Sequence, residues 1–212
     1  GCIVRRLFSA ILMSLVAVLL SACGSSGQIN EDFDTVEAVP EYLRSEDLVV
    51  GVGQTEFADG FLRLIVQNQG IGEVGRLFIE PNAEAVHQDF ALEVTMRFIS
   101  NGRATLWLRS DAETCSGYGL VIDPTRDNFR LATAGENCDI ENLDTRSRLA
   151  IDLDQWYTLR FEVQGSTLRG YVDTVQFFEI EDSTYTEGQS FIEIMTDSSI
   201  PAQIEIDTFK VD

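Results

Sequence analysis

Phe90-Ala91-Leu92-Glu93-Val94-Thr95-Met96-Arg97-Phe98 decides the fold class. Phe90, Leu92, Val94, Met96 and Phe98 fall on one side at period two, and Glu93, Thr95 and Arg97 fall on the other. A helix cannot hold that alternation on one face, whereas a strand with one covered side requires it. The stretch therefore reads as a long core strand.

The same alternation recurs on both sides of it. Leu62-Leu64-Val66, Leu106-Leu108, Tyr157-Leu159-Phe161-Val163, Leu168-Gly170-Val172 and Ile204-Ile206 all repeat it, and Arg76-Leu77-Phe78-Ile79 reads as a further strand. Turn chemistry separates these runs at Ala58-Asp59-Gly60, Ser100-Asn101-Gly102, Asp123-Pro124-Thr125, Gln164-Gly165-Ser166 and Glu187-Gly188. Gln164-Gly165-Ser166-Thr167 is the clearest hairpin. Strands at this spacing without helical interludes predict an all-β, antiparallel two-sheet sandwich. The segment from Glu31 to Glu46 is the one plausible helix, and no internal repeat or second domain is seen.

The N-terminus carries a different signal. Arg5 and Arg6 precede an apolar run from Leu7 to Leu20, which is short for a bilayer span of about 20 residues. The run closes on Leu20-Ser21-Ala22-Cys23, which resembles the lipobox of bacterial lipoproteins. That resemblance implies a cleaved signal at residues 1–22, an acylated Cys23 bearing palmitate-type chains, and an address on the cell envelope. Ser25, where aspartate would favour retention, implies outer-membrane sorting in a two-membrane cell. Residues 23–45 are then a tether with the short helix, and 46–212 the sandwich domain. The chain opens on Gly1 where a start methionine is expected, which suggests a fragment or processed form.

Composition narrows the partners. With 35 acidic against 15 basic residues the net charge is −20, which argues against nucleic acid, because phosphate binding relies on basic side chains. Membrane contact then falls to the acyl chains. Once Cys2 leaves and Cys23 is lipidated, Cys115 and Cys138 remain, and an exported chain with one such pair predicts a disulfide contributing about 3 kcal/mol. Zinc is the alternative, but it wants four ligands, and the single histidine, His87, is distant in sequence.

From residue 55 to 212 the order of motifs is similar to the concanavalin-A-like jelly-roll superfamily, nearest the laminin-G-like and keto-disaccharide-hydrolase-like domains. The residues that carry it are Phe57-Ala58-Asp59-Gly60-Phe61-Leu62-Arg63-Leu64, Asp89-Phe90-Ala91-Leu92-Glu93-Val94, Leu108-Arg109 and Gly117-Tyr118-Gly119-Leu120. Asp154-Gln155-Trp156-Tyr157-Thr158-Leu159-Arg160-Phe161, Leu168 to Val172, and Ile204 to Val211 continue it. The resemblance implies a jelly roll and leaves activity open, since fold does not fix function.

Carbohydrate binding is the natural use of such a sandwich, because an aromatic ring stacks on a sugar while polar neighbours fix its hydroxyls. Trp107 and Arg109 project together if Leu106 and Leu108 face the core. In related domains an arginine matching Arg109 lies on the open face, and Tyr118 and Arg130 could join it. The competing reading packs Trp107 beneath the loop closed by Cys115 and Cys138. Trp156 and Tyr157 match structural positions and are expected in the core.

Two further functions are weaker. Retaining glucanases of this superfamily carry Glu-x-Asp-x-x-Glu, and here Glu205-Ile206-Asp207-Thr208-Phe209-Lys210 ends in lysine and lies on the terminal strand. No Gly-x-Ser-x-Gly elbow accompanies His87, which reads as a loop residue, and Gly70-Ile71-Gly72-Glu73-Val74-Gly75 lacks the helix that a dinucleotide fingerprint needs. The expectation is thus a binding module rather than an enzyme, with a glycoside hydrolase or an adhesion subunit as alternatives. A structural calcium is the one cofactor implied, and the resemblance nominates Asp34 and Asp207 as its ligands.

Overall fold

The computed structural model describes residues 29–35, 40, 43–47, 53–67, 74–79, 86–111, 113–114, 116–135, 140–147, 149–196 and 201–212. Fifteen strands account for most of them. In chain order they are β1 Ile29–Asp32, β2 Leu43–Asp47, β3 Gly53–Ala58, β4 Phe61–Val66, β5 Val74–Ile79, β6 Phe90–Phe98, β7 Arg103–Asp111 and β8 Ser116–Asp123, followed by β9 Asn128–Ala134, β10 Ile140–Ser147, β11 Tyr157–Gln164, β12 Thr167–Val172, β13 Val175–Glu181, β14 Gln189–Met195 and β15 Ala202–Val211.

They form two antiparallel sheets. The first runs β13-β12-β11-β6-β15-β4-β3, with β1 paired to the end of β15, and the second runs β10-β9-β8-β7-β14-β5-β2. Sequential neighbours pair through short turns, while β6 sits between β11 and β15 and β7 meets β14, so the chain crosses repeatedly between layers. This is the expected sandwich, with jelly-roll connectivity.

Alternation explains why these sequences form this core. The inward residues Phe90, Leu92, Val94, Met96 and Phe98 of β6 are buried, and so are Leu62, Leu64 and Val66 of β4 and Leu159, Phe161 and Val163 of β11. The facing layer supplies Leu106, Leu108, Tyr118, Leu120, Ile122, Phe129, Leu131, Ile192 and Ile194, and together these form one continuous cluster. Burying each large apolar side chain favours folding by roughly 1.5–3 kcal/mol, which is why one-face periodicity is enough to specify two sheets.

Turns follow the sequence signals. Asp59 and Gly60 have φ of 57° and 82° between β3 and β4, a hairpin needing positive φ at both positions. Gly165, at φ 58°, turns β11 into β12, and Gln164 pairs with Thr167.

Two expectations are corrected. The segment from Glu31 to Glu46 is not a helix in its described parts: Ile29–Asp32 is a strand, Phe33–Thr35 one 3-10 turn and Leu43–Asp47 another strand. The short polar sequence gains more by completing the edges of both sheets, pairing with Thr208–Val211 and Gly75–Ile79, than by coiling alone. Among the described residues the strand layers thus include Ile29–Asp32, ahead of the domain start expected at 46. Trp156 is not in the core either. It stacks on Phe61 at 5.1 Å, with the Arg97 guanidinium 4.7 Å above its ring, on the outward side of β6. Tyr157 is buried, and its hydroxyl accepts from the Asp152 N–H at 3.0 Å.

The outward side of the first sheet is a lattice of charge. Arg160 reaches Glu93, Glu162 and Asp212, and Arg169 reaches Glu162 and Glu179. Its one deeply buried member is Glu205, 2% exposed, which accepts from Arg63 Nε at 2.6 Å and Arg97 Nε at 2.7 Å.

Candidate functional site

The second sheet has apolar residues on both sides. Leu106 and Leu108 of β7 and Ile192 and Ile194 of β14 face the core, yet Trp107, Phe191, Phe78 and Ala134 are also buried in a separate cluster. That cluster is on the outward side. Cross-strand register places it: Trp107 pairs with Phe191 on one side and Gly119 on the other, and Phe191 pairs with Phe78.

Trp107 needs the missing side chain at Gly119. A Cβ there would come within 3.0 Å of the indole and 2.9 Å of the Thr105 methyl, so the ring lies against bare backbone of β8. Trp107 is only 5% exposed and its Nε1 has no hydrogen-bond partner. Phe191 covers it from β14, with ring centroids 6.0 Å apart.

One residue pair along the same strands the chemistry becomes polar. Arg76 Nε donates to Glu193 Oε2 at 2.9 Å, both side chains are nearly buried, and the guanidinium lies 5.2 Å from the Phe191 centroid. Arg103, beside Met195, donates from Nη2 to the thioether sulfur at 3.0 Å, a weak acceptor, while its Nε has no partner. These side chains enclose a cavity of about 190 Å³, lined by Val74, Arg76, Arg103, Trp107, Ser110, Ala134, Ile140, Phe191, Glu193 and Met195. It is smaller than the roughly 300–1,000 Å³ of drug-sized pockets, so a group about the size of one six-membered ring is the natural upper limit for its contents.

The four residues nominated from sequence divide. Trp107 lines the cavity. Arg130 lies on the same outward side, opposite Val121 of β8, which itself pairs with Thr105 of β7. Arg109 and Tyr118 are elsewhere. β7 and β8 lose register between Leu108 and Asp111, and Arg109 has φ of 48°, so the period-two rule fails one residue after Leu108. Its buried guanidinium instead donates to the Gln88 carbonyl at 2.5 Å and the Tyr185 carbonyl at 2.9 Å, and it pairs with Asp89 at 3.3 Å. Asp89 also accepts from the Gly165 N–H, so Arg109 links the second sheet to the β11–β12 turn of the first.

Tyr118 faces the sandwich interior at 0% exposure. Its hydroxyl donates to Asp182 and accepts from the Tyr185 N–H at 3.0 Å. Burial, with the Asp182 bond, pushes its ionisation up to about 12. Both residues hold the β13–β14 connection in place, which leaves Trp107 and Arg130 as the outward-facing pair.

Sequence reasoning missed Arg76, Arg103, Phe191 and Glu193. The usable signal was Phe191-Ile192-Glu193-Ile194-Met195, whose apolar residues occupy both parities and therefore require cover on both sides.

Other nominated residues are placed as follows. Cys23, Cys115 and Cys138 lie outside the described residues, as does most of the Gly70–Gly75 stretch. His87 is bridged to Gly188 by two backbone hydrogen bonds, its ring lies 4.1 Å from Phe90, and burial lowers its pKa. Glu205 is saturated by two arginines and holds a structural position.

Asp34 and Asp207 are brought together. Burial, then the nearby carboxylates of Asp34 and Asp32, raises the Asp207 pKa. Among the described residues no three His, Cys, Asp or Glu side chains are grouped to hold a metal ion, so a calcium ion at this carboxylate pair would take most of its oxygens from backbone carbonyls and water. A carboxyl with a raised folded pKa stabilises the fold while protonated and loses that contribution as pH rises through the folded value. Asp207→Asn is therefore expected to raise the melting temperature at neutral pH in chelator. The difference should vanish in acid, and calorimetry across pH checks it.

No protein-family model matches the chain, and no curated protein matches it. Solved structures do. The carbohydrate-binding module CBM66 from Bacillus subtilis is 18% identical over 79% of this chain and 94% of its own, with a TM-score of 0.63. The Emp47p carbohydrate recognition domain is 13% identical over 89% and 95%, at 0.64, and a structure titled a native glycosidic hydrolase is 13% identical over 90% and 98%, at 0.66. The fold is a two-sheet jelly-roll sandwich. At these identities the likeness carries the architecture alone, and an exoplasmic VIP36 domain solved in a Ca2+/Man-bound form, 11% identical over 87% of this chain and 88% of its own at a TM-score of 0.61, extends that same likeness.

Proposed function

We propose that the protein is a carbohydrate-binding module that takes a sugar ring into the cavity beside Trp107 on the outward side of the second sheet. The observation that carries this reading is the pairing of apolar walls with unsatisfied donors. Trp107, Phe191 and the partly exposed Ile140 line the cavity with apolar atoms, while among the described residues Trp107 Nε1 and Arg103 Nε are buried without acceptors. An unpaired buried donor costs about 1–3 kcal/mol, and a ligand hydroxyl would recover it. The likeness to a solved carbohydrate-binding module and a carbohydrate recognition domain supports the reading.

Binding rather than hydrolysis fits the acids at hand. Glu193, the acid on the cavity wall, is engaged by Arg76. A general acid would need its proton free at the scissile oxygen.

The decisive comparison is a glycan array probed with the native protein, Trp107→Ala and Trp156→Ala. Trp107→Ala is expected to lose about tenfold or more in affinity, ~1.4 kcal/mol, and Trp156→Ala to keep it. Equal binding by the native protein and Trp107→Ala would remove the proposed site.

The reading places the module outside the cytoplasm on an acylated Cys23. The lipobox-like run Leu20-Ser21-Ala22-Cys23 supports this, and palmitate incorporation that is lost in Cys23→Ser tests it. Calcium, where bound, is assigned to Asp34 and Asp207. Excess calcium should then raise the melting temperature of the native protein and leave Asp207→Asn unchanged.

A further inference from the structure

The overall charge of −20 makes the charge of the cavity face notable, because its uncompensated groups are cationic. On the wall, Arg76 and Glu193 cancel each other. Among the described residues Arg103 donates to the Met195 sulfur, and its buried Nε has no partner. Arg130 lies diagonally across β8 on the same side, and its Nε is likewise buried and unpartnered. The carboxylate nearest in register, Asp123, is bound by Arg126 at 2.7 Å and accepts the Arg126 N–H as well. Burial, and then the like charge of Arg103, lowers the Arg130 pKa against the smaller attraction of Asp123, so the two guanidinium groups repel each other.

Two half-buried guanidinium groups whose one nearby carboxylate, Asp123, is already held by Arg126 leave a positive excess that an arriving anion would offset. A planar guanidinium fork matches a carboxylate, which accepts two parallel N–H bonds. The Trp107 indole borders the same space, with an N–H still to be satisfied. A neutral sugar would satisfy the donors but leave the charge.

We propose that the cavity beside Trp107 takes a uronic acid residue, its ring against Trp107 and Phe191 and its carboxylate between Arg103 and Arg130. This rests on the carbohydrate-binding reading above and adds the ligand class. The acidic remainder of the surface repels polyanions at large, so recognition is confined to this face.

The test titrates the full chain with trigalacturonate, with neutral galactotriose and with a sulfated galactan oligosaccharide. Trigalacturonate is expected to bind about tenfold tighter than galactotriose. Arg103→Gln and Arg130→Gln should each remove that advantage, Arg130→Gln, outside the cavity lining, while leaving galactotriose affinity within about twofold, and thermal melts report whether each variant is folded. If one variant does not fold, the other and the charge-retaining Arg103→Lys, expected to keep part of the preference, carry the comparison.

Equal or tighter binding of galactotriose would overturn the proposal, as would an acid preference that survives both glutamine variants. Tighter binding of the sulfated probe would overturn the assignment to a carboxylate. Trp107-dependent binding of neutral sugars alone would leave the carbohydrate-binding reading standing. Failure of every saccharide on the array removes both.

Discussion

Glu205→Ala is expected to destabilise the protein by about 3–5 kcal/mol, the cost of breaking a buried ion pair and leaving its partners charged. Glu205 is 2% exposed and lies between β4 and β6, where its two oxygens accept from Arg63 and Arg97. Removing it leaves two guanidinium groups facing each other across β15, and Arg97 also supports Trp156. Arg63 retains Asp59 at 3.0 Å and is partly exposed, so Arg97 is the more disturbed of the two. Urea denaturation reads the loss. A change under 1 kcal/mol would mean that water replaces the carboxylate and that the pairing contributes little.

Arg109→Ala is expected to cost about 3 kcal/mol without weakening sugar binding by the folded protein. The guanidinium satisfies the Gln88 and Tyr185 carbonyls in two part-buried bonds, and an acceptor left without a donor inside the protein costs about 1–3 kcal/mol. The surroundings have little room to adjust, since Gly188 passes so close that a Cβ would lie 2.4 Å from the Arg109 carbonyl carbon. A variant that melts normally but fails to bind would move Arg109 into the ligand site, contrary to its placement here.

The contrast between Arg109 and Trp107 marks how far the sequence could be read. Alternation in Phe90–Phe98 specified a core strand because every inward side chain is large and apolar, and burial enforces the register. The same rule placed Trp107 outward. It failed at Arg109, where a positive φ and a lost pairing shift the chain, and no residue type announces this because Leu108-Arg109-Ser110 reads as ordinary strand. Tyr118 was nominated for its aromatic ring, but its parity with Leu120 and Ile122 already put it on the core side.

The helix expected between Glu31 and Glu46 failed for a different reason. Edge strands draw their stability from partners that are distant in sequence, Thr208–Val211 and Gly75–Ile79, and local propensity carries no record of them. The cavity was hidden for the same reason. Arg76, Arg103, Trp107 and Glu193 come from three strands and meet only through register.

Trp107 and Trp156 are the two tryptophans, so Trp156→Phe leaves a single indole to report on the cavity. Titrating that variant with trigalacturonate and with galactotriose while following fluorescence tests the central claim most directly. A saturable shift in emission with at least one of them, absent when Trp107 is also replaced, is the expected result. Binding detected by calorimetry with no change in Trp107 emission would place the sugar elsewhere and contradict the account.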